Sequence, residues 1–292
     1  MPATGSRRPL AVDENSVVAA RFDWRMTESY NMSIQLRLDG LSFSILDPVT
    51  NVYLYLSEMS LPSPDAHFAR QEEYILKSRV LARRYRRVCI CVESPAYTMM
   101  PSSLYDERRI GGVMALSGIR LKADDRVLRN DIELANSTTA FILPNFLYFF
   151  LRTQFPNAEI FHETTPIVSS MLLKRQGDYS AASVSLSLAA DSMTVVATRN
   201  NELQLCNTFY CRESPDYAYM LLYVMEQLQF DASTTTVRLS GCFDLSDPRV
   251  GVMRRFVPRL ELASLPTFFD YAISTGEKSY RYNTLFLLPL CV

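Results

Sequence analysis

One strand pattern occurs twice in this chain, and that repeat limits what it can fold into more than any other feature. Ser33-Ile-Gln-Leu-Arg-Leu-Asp-Gly-Leu-Ser-Phe-Ser-Ile-Leu46 aligns without a gap on Ser183-Val-Ser-Leu-Ser-Leu-Ala-Ala-Asp-Ser-Met-Thr-Val-Val196, an offset of 183 − 33 = 150. Ser33/Ser183, Leu36/Leu186, Leu38/Leu188 and Ser42/Ser192 are identical under that offset. Ile34, Leu36 and Leu38 alternate with polar residues, as do Val184, Leu186 and Leu188, which is the period-two pattern of a half-buried strand. Self-similarity of this kind speaks to architecture before function. The chain should build the same unit twice.

Each copy continues in step. A tight turn leads to a second strand (about 42–46 and 192–198). The polar turns Asp47-Pro-Val-Thr-Asn51 and Arg199-Asn-Asn-Glu202 then reverse the chain into third strands, 52–56 and 203–207. In the second copy Ser214-Pro215-Asp216 supplies an N-cap, a first-turn proline and a negative charge, and Tyr217, Leu221, Val224 and Leu228 follow at helical spacing. In the first copy a helix over 65–85 is closed by Arg86 and Arg87. Strands 88–92 and 237–240 return beside the first strand, since a helical crossover delivers a parallel neighbour.

The expected fold class is therefore α/β, with duplicated β-β-β-α-β units. Residues 131–143 read as strand, 145–154 as helix, 159–162 as strand and 164–174 as helix. In the tail, 247–257 reads as helix, 259–265 as extended and 284–290 as a terminal strand. Residues 1–20 form an N-terminal segment expected to be poorly ordered through about Val17, followed by a first half over 21–175 and a second over 176–292. A chain of 292 residues accommodates two such cores.

With its helix-strand appendage, this twice-built unit resembles the actin-like (ribonuclease H-like) superfamily of sugar kinases, Hsp70-type chaperones and the actin-like scaffold of type IV pilus assembly. More narrowly, the chain resembles an uncharacterised bacterial family of this length with an actin-like fold. The markers are Leu38-Asp-Gly-Leu-Ser-Phe-Ser-Ile45, Met100-Pro-Ser-Ser-Leu104, Ile160-Phe-His162, Leu205-Cys-Asn-Thr-Phe209, Ser214-Pro-Asp-Tyr217 and Val237-Arg-Leu-Ser-Gly241.

The resemblance implies that the first hairpin of each half approaches the phosphates of ATP or ADP held with Mg. Glycines there expose backbone N–H groups, and an acid positions metal and water. It makes Asp39, Gly40, Ser42, Asp191, Ser192 and Gly241 the candidate nucleotide-cleft residues. The matching positions are eroded. Leu38-Asp39-Gly40-Leu41-Ser42 keeps an acid, a glycine and a hydroxyl, but Asp-Gly is also a common hairpin turn. Leu188-Ala189-Ala190-Asp191-Ser192 has no glycine, and Ser240-Gly241-Cys242-Phe243 keeps one where relatives pair two. Only 9 glycines occur in the whole chain, which leaves little permissive backbone for another phosphate cradle.

The leading expectation is thus a degenerate, pseudo-ATPase interaction or scaffold protein whose partner is another protein. The rival is a nucleotide-binding actin-like ATPase with relaxed phosphate loops. Lys77, Arg79, Arg83, Arg84, Arg86 and Arg87 form a candidate patch for an anionic partner, although such a run at a helix end also complements the dipole. Nucleic acid is disfavoured, because the net charge is −1 and no stacking aromatics are interleaved with the basic residues.

His162 has no nucleophile motif around it and reads as a hydrogen-bonded structural residue. Tyr217 reads as core, with Tyr219 and Tyr223 paired on one helical face. Cys206 and Cys211 lack the second pair that zinc needs, so no metal site is expected. The six cysteines mostly lie in apolar strand-like runs behind no secretory signal, which points to a reducing, cytoplasmic setting. The apolar run over 141–151 is interrupted by Pro144 and Asn145 and falls short of the ~20 residues of a membrane span.

Overall fold

The computed structural model describes residues 15–61, 67–173 and 182–291. Residues 1–14, the expected helix start at 65–66 and the expected helix end at Lys174 lie outside them. Along the chain come β1 (Ser16–Val18), β2 (Asn31–Arg37), β3 (Gly40–Asp47), β4 (Val52–Ser60), α1 (His67–Lys77) and β5 (Arg87–Val92). An inserted lobe follows, with β6 (Tyr97–Pro101), α2 (Ile110–Leu116), β7 (Asp125–Ile132) and β8 (Ser137–Pro144). Helix α3 (Asn145–Gln154), β9 (Glu159–His162) and α4 (Thr164–Leu172) complete the first half. The second contains β10 (Ser183–Leu188), β11 (Ser192–Arg199), β12 (Glu202–Tyr210), α5 (Ser214–Gln227), β13 (Thr236–Gly241), α6 (Pro248–Arg254) and β14 (Leu260–Leu262). The tail adds β15 (Asp270–Tyr271) and α7 (Asn283–Leu287).

The first sheet runs β1-β4-β3-β2-β5-β9 and the second β12-β11-β10-β13-β14. In both, the first three long strands are antiparallel, and the strands after the crossover helices are parallel. The first hairpins of the two sheets correspond at an offset of 152, not 150. Asn31 pairs with Arg87 as Ser183 pairs with Thr236 (183 − 31 = 152), and the bulge at Ile45/Leu46 recurs at Ala197/Thr198 (197 − 45 = 152). A slip of two residues returns every side chain to the same face, so alternation alone cannot see it.

Five other expectations change. Residues 16–18, read as unordered, form β1 against β4, with Ser16 opposite Ser57. Residues 131–143 are two strands of a hairpin, reversed at Asn136, whose φ of 46° an asparagine side chain tolerates. Helix α1 ends at Lys77, and Ser78 Oγ accepts the Leu81 N–H to turn the chain, so Arg79 to Arg86 lie beyond the helix and Arg87 opens β5. Residues 284–290 are helical, as α7 and a 3₁₀ turn (Leu288–Cys291). Leu285, Phe286, Leu287 and Leu288 are consecutive and all buried, and a continuous apolar run suits a buried helix as well as a strand. The α5 cap is Glu213 rather than Ser214, in a capping box with Asp216.

The tail belongs to the first sheet. Strand β15 pairs parallel with β4, and Asn51 Nδ2 donates to the Phe268 carbonyl at 2.6 Å. Tyr282, Leu285 and Phe286 join the first core beside Tyr53, Phe43 and Ile34. The second core gathers Val184, Leu186, Tyr217, Leu221 and Leu239 between its sheet and α5. No helix among the described residues is long and apolar enough to cross a membrane.

Candidate functional site

The β2–β3 and β10–β11 hairpins face each other across a cleft of about 440 Å³. Arg37 begins the first turn, and its counterpart at the offset of 152 is Ala189. Asp39 matches Asp191, and Gly40 matches Ser192. The Ala189 N–H donates to the Ser192 carbonyl at 3.0 Å, which closes the second turn where Arg37 and Gly40 pair in the first. The acids of the two hairpins are therefore structural equivalents. The cleft lies beyond the carboxyl ends of the parallel strands, the usual ligand position in an α/β sheet.

Arg37 dominates the first hairpin. Its buried guanidinium donates to Asp39 Oδ1 at 2.8 Å, Glu58 Oε1 at 3.0 Å and Ser42 Oγ at 3.1 Å. Burial works to raise the Asp39 carboxyl, and Arg37 outweighs it, holding Asp39 below the ordinary aspartate range. Ser42 is fully buried in this network and offers nothing to the cleft. Gly40 is needed for close approach: a Cβ there would lie 2.2 Å from the Met59 carbonyl oxygen. Gly241, at φ 114°, presses on β10 in the same way, with a Cβ reaching 2.2 Å from the Leu188 oxygen. Both glycines serve strand packing.

Two further acids line the cleft. Glu93 follows β5 and accepts the Leu38 N–H at 3.1 Å. Burial raises its carboxyl above the ordinary glutamate range, against that hydrogen bond. Glu163 follows β9, and burial, then the neighbouring Glu93, pushes it well up. Arg281 enters from the tail, bonded to Asp244 Oδ1 at 3.0 Å and the Phe243 carbonyl at 3.3 Å. Burial and the Asp39 carboxylate raise the Cys242 thiol to about 11. From outside, Arg249 grips the Ala189 and Ala190 carbonyls of the second hairpin while paired with Asp247.

Of the residues expected here, Asp39, Asp191 and Gly241 line the cleft, whereas Gly40, Ser42 and Ser192 do not. Pattern reading missed Arg37, Glu93, Glu163 and Arg281. A usable signal existed for two of them, an acid one residue beyond a strand in Val92-Glu93 and His162-Glu163. Among the described residues no three His, Cys, Asp or Glu side chains converge as a metal-ligand set.

The basic run does not form one surface. Lys77 pairs with Glu73 and Arg87 with Glu159. Arg83 donates to the Trp24 carbonyl at 2.8 Å and lies 5.5 Å from the Trp24 ring centroid. Arg79, Arg84 and Arg86 have exposed side chains. His162 is buried, with Nδ1 2.7 Å from Thr164 Oγ1 and Nε2 2.9 Å from the Ser94 carbonyl, and burial lowers it to about 4. Tyr217 is core, while Tyr219 and Tyr223 stack at 6.4 Å on the exposed face of α5.

Two sheets of this order, joined by crossover helices and flanking one cleft, define an actin-like ATPase fold. A Bacteroides thetaiotaomicron protein with that fold and unknown function is similar at 23% identity, covering 92% of this chain and 99% of that one, with a TM-score of 0.77. The PilM–PilN type IV pilus biogenesis complex is similar at 10% identity over 89% of this chain and 97% of that one, with a TM-score of 0.57. The chain belongs to the family described as a protein of unknown function, DUF3822, whose model matches residues 19–260. No curated protein matches the sequence.

Proposed function

We propose that this chain is an actin-like-fold interaction protein, a pseudo-ATPase that presents its cleft or surface to another protein. The observation that carries this reading is the engagement of Arg37. Its guanidinium lines the cleft, and it is already bound to Asp39, Glu58 and Ser42. Around it, among the described residues, Asp39, Glu93, Glu163 and Asp191 oppose Arg37 and Arg281 alone. A polyphosphate entering this cleft would meet the Asp39 carboxylate, held ionised by Arg37, and would drive Glu93 and Glu163 further toward their protonated forms. The glycines that should admit it are closed against Met59 and Leu188. Similarity to one partner of a pilus complex supports a protein partner over a small substrate.

The same reading includes two repeated halves meeting near residue 175, supported by the shared strand order and bulge. It also includes a cytoplasmic, bacterial setting, supported by cysteines that are all free.

A second reading keeps nucleotide binding with relaxed loops. Asp39 and Asp191 at matching hairpin positions favour it, because a hydrated Mg could bridge them without direct coordination. Calorimetric titration with Mg-ATP and Mg-ADP separates the two. The interaction reading expects no micromolar binding and no phosphate release. Micromolar binding that disappears in Asp39→Ala would overturn it.

A further inference from the structure

The interaction reading leaves open what the cleft itself receives. Arg37 is engaged by Asp39 and Glu58, and Arg281 by Asp244. Glu93, Glu163 and Asp191 come from three separate segments, and among the described residues none has a basic partner within ion-pair distance. Gln35 lies on the cleft floor beneath them. It is only 5% exposed, and its Oε1 has no hydrogen-bond partner among the described residues. A buried carbonyl left without a donor costs about 1–3 kcal/mol, so it is a standing acceptor for an incoming N–H.

On that reading, we propose that the cleft is a receptor for the ammonium or guanidinium head of a lysine or arginine side chain carried by a protein partner. Gln35 Oε1 takes one of the head's N–H donors, and the three carboxylates lining the cleft supply the negative field that draws the head in. Leu38, Leu61, Leu188, Ala189 and Ala190 give the methylene stem an apolar wall. Arg281 Nε also lacks a partner among the described residues, and it is a donor. A peptide offers it a backbone carbonyl, which a free polyamine cannot. That difference selects a protein-borne cation over a small amine.

Binding should strengthen with pH. Burial leaves Glu93 and Glu163 holding protons above the ordinary range, and an arriving cation must displace them. The groups facing that pair are Asp39, Arg37, Asp191, Cys242, Arg281 and the Thr194 hydroxyl, with Cys91, Tyr97, Cys206 and Tyr210 from the strands behind. Of these, Asp39 is already ionised beside Arg37.

The test is calorimetry on the full chain with three probes: an acetylated, amidated Ala-Lys-Ala peptide, its norleucine analogue, and spermidine. The lysine peptide should bind, the norleucine peptide should not, and spermidine should bind more weakly than the lysine peptide. Asp191→Asn, at an exposed turn, and Glu163→Gln should each weaken the lysine peptide about tenfold. Affinity should rise as pH climbs above the ordinary glutamate range and fall with added salt. Equal behaviour of the lysine and norleucine peptides up to about 10 mM, or unchanged affinity in Asp191→Asn, overturns the proposal. Spermidine binding as tightly as the peptide overturns the protein source. Mg-ATP titrated into the same sample tests the parent reading separately: nucleotide binding sinks the pseudo-ATPase, whatever the peptides do.

Discussion

Tyr53, on β4, donates its hydroxyl to the backbone carbonyl of Phe286 at 2.9 Å, across 233 positions of sequence. Both residues are fully buried, their rings 4.5 Å apart edge to face. The contact fastens α7 to the first sheet. Tyr53→Phe keeps the ring and strands the carbonyl, so it should cost about 1–3 kcal/mol in urea unfolding. A loss below the error of the measurement would mean that α7 docks through apolar contacts alone.

Arg37 should be among the least replaceable residues. Arg37→Met leaves Asp39 and the largely buried Glu58 without their cation, and breaking such a pair from one side typically costs about 3–5 kcal/mol. Restoring neutrality with Asp39→Asn and Glu58→Gln on the same background should recover part of that loss. Denaturant midpoints of the single and triple variants check this.

Two glycine-to-alanine changes should part company. Gly241→Ala forces a Cβ onto the Leu188 carbonyl at a left-handed φ, and about 2–3 kcal/mol should be lost. Gly251→Ala, inside α6 with nothing within 4 Å of the new carbon, should be neutral or gain about 0.5–1 kcal/mol. Thermal unfolding of the pair is a direct comparison.

Buried groups of opposite type should shape the pH profile. His162 titrates at about 4 when folded and near 6.5 when unfolded, so the unfolded chain binds more protons between those values. Stability should therefore fall as pH drops through that window, and His162→Gln should flatten the fall. Glu163 has the opposite sign. Its folded carboxyl is raised above the ordinary 4.5, so the contribution of its protonated form is present at low pH and fades as pH rises. Glu163→Gln should gain stability relative to the parent as pH increases. Unfolding free energies of both variants across the pH range decide the signs.

The strands were legible because alternation marks them, and the α5 helix because its spacing and first-turn chemistry agree. The register between halves was not, since the alignment at 150 and the true correspondence at 152 place the same residues on the same faces. In the cleft, Asp39, Asp191 and Gly241 could be found from hairpin and strand-end positions. Glu93 and Glu163 could not be paired from sequence, because a glutamate after a strand resembles any solvated strand end. Only the parallel pairing of β5 with β9, which sets Val92 opposite His162, brings those two acids to one edge. Arg37 was hidden by its neighbours: between Leu36 and Leu38 it reads as the outward polar residue of an alternating strand, until the second half supplies the wall behind it.

The return of the tail to the first sheet also bears on how the protein is made. Tyr53 is among the earlier residues to leave the ribosome, and Phe286, which it meets through both its ring and its hydroxyl, is among the later. Until Phe286 emerges, the Tyr53 ring and hydroxyl lack the partner that buries them in the folded chain. That contact spans most of the sequence, which makes it slow to form. A nascent chain of this kind should therefore complete the packing of its first sheet late, and protease resistance there should appear only once α7 has docked.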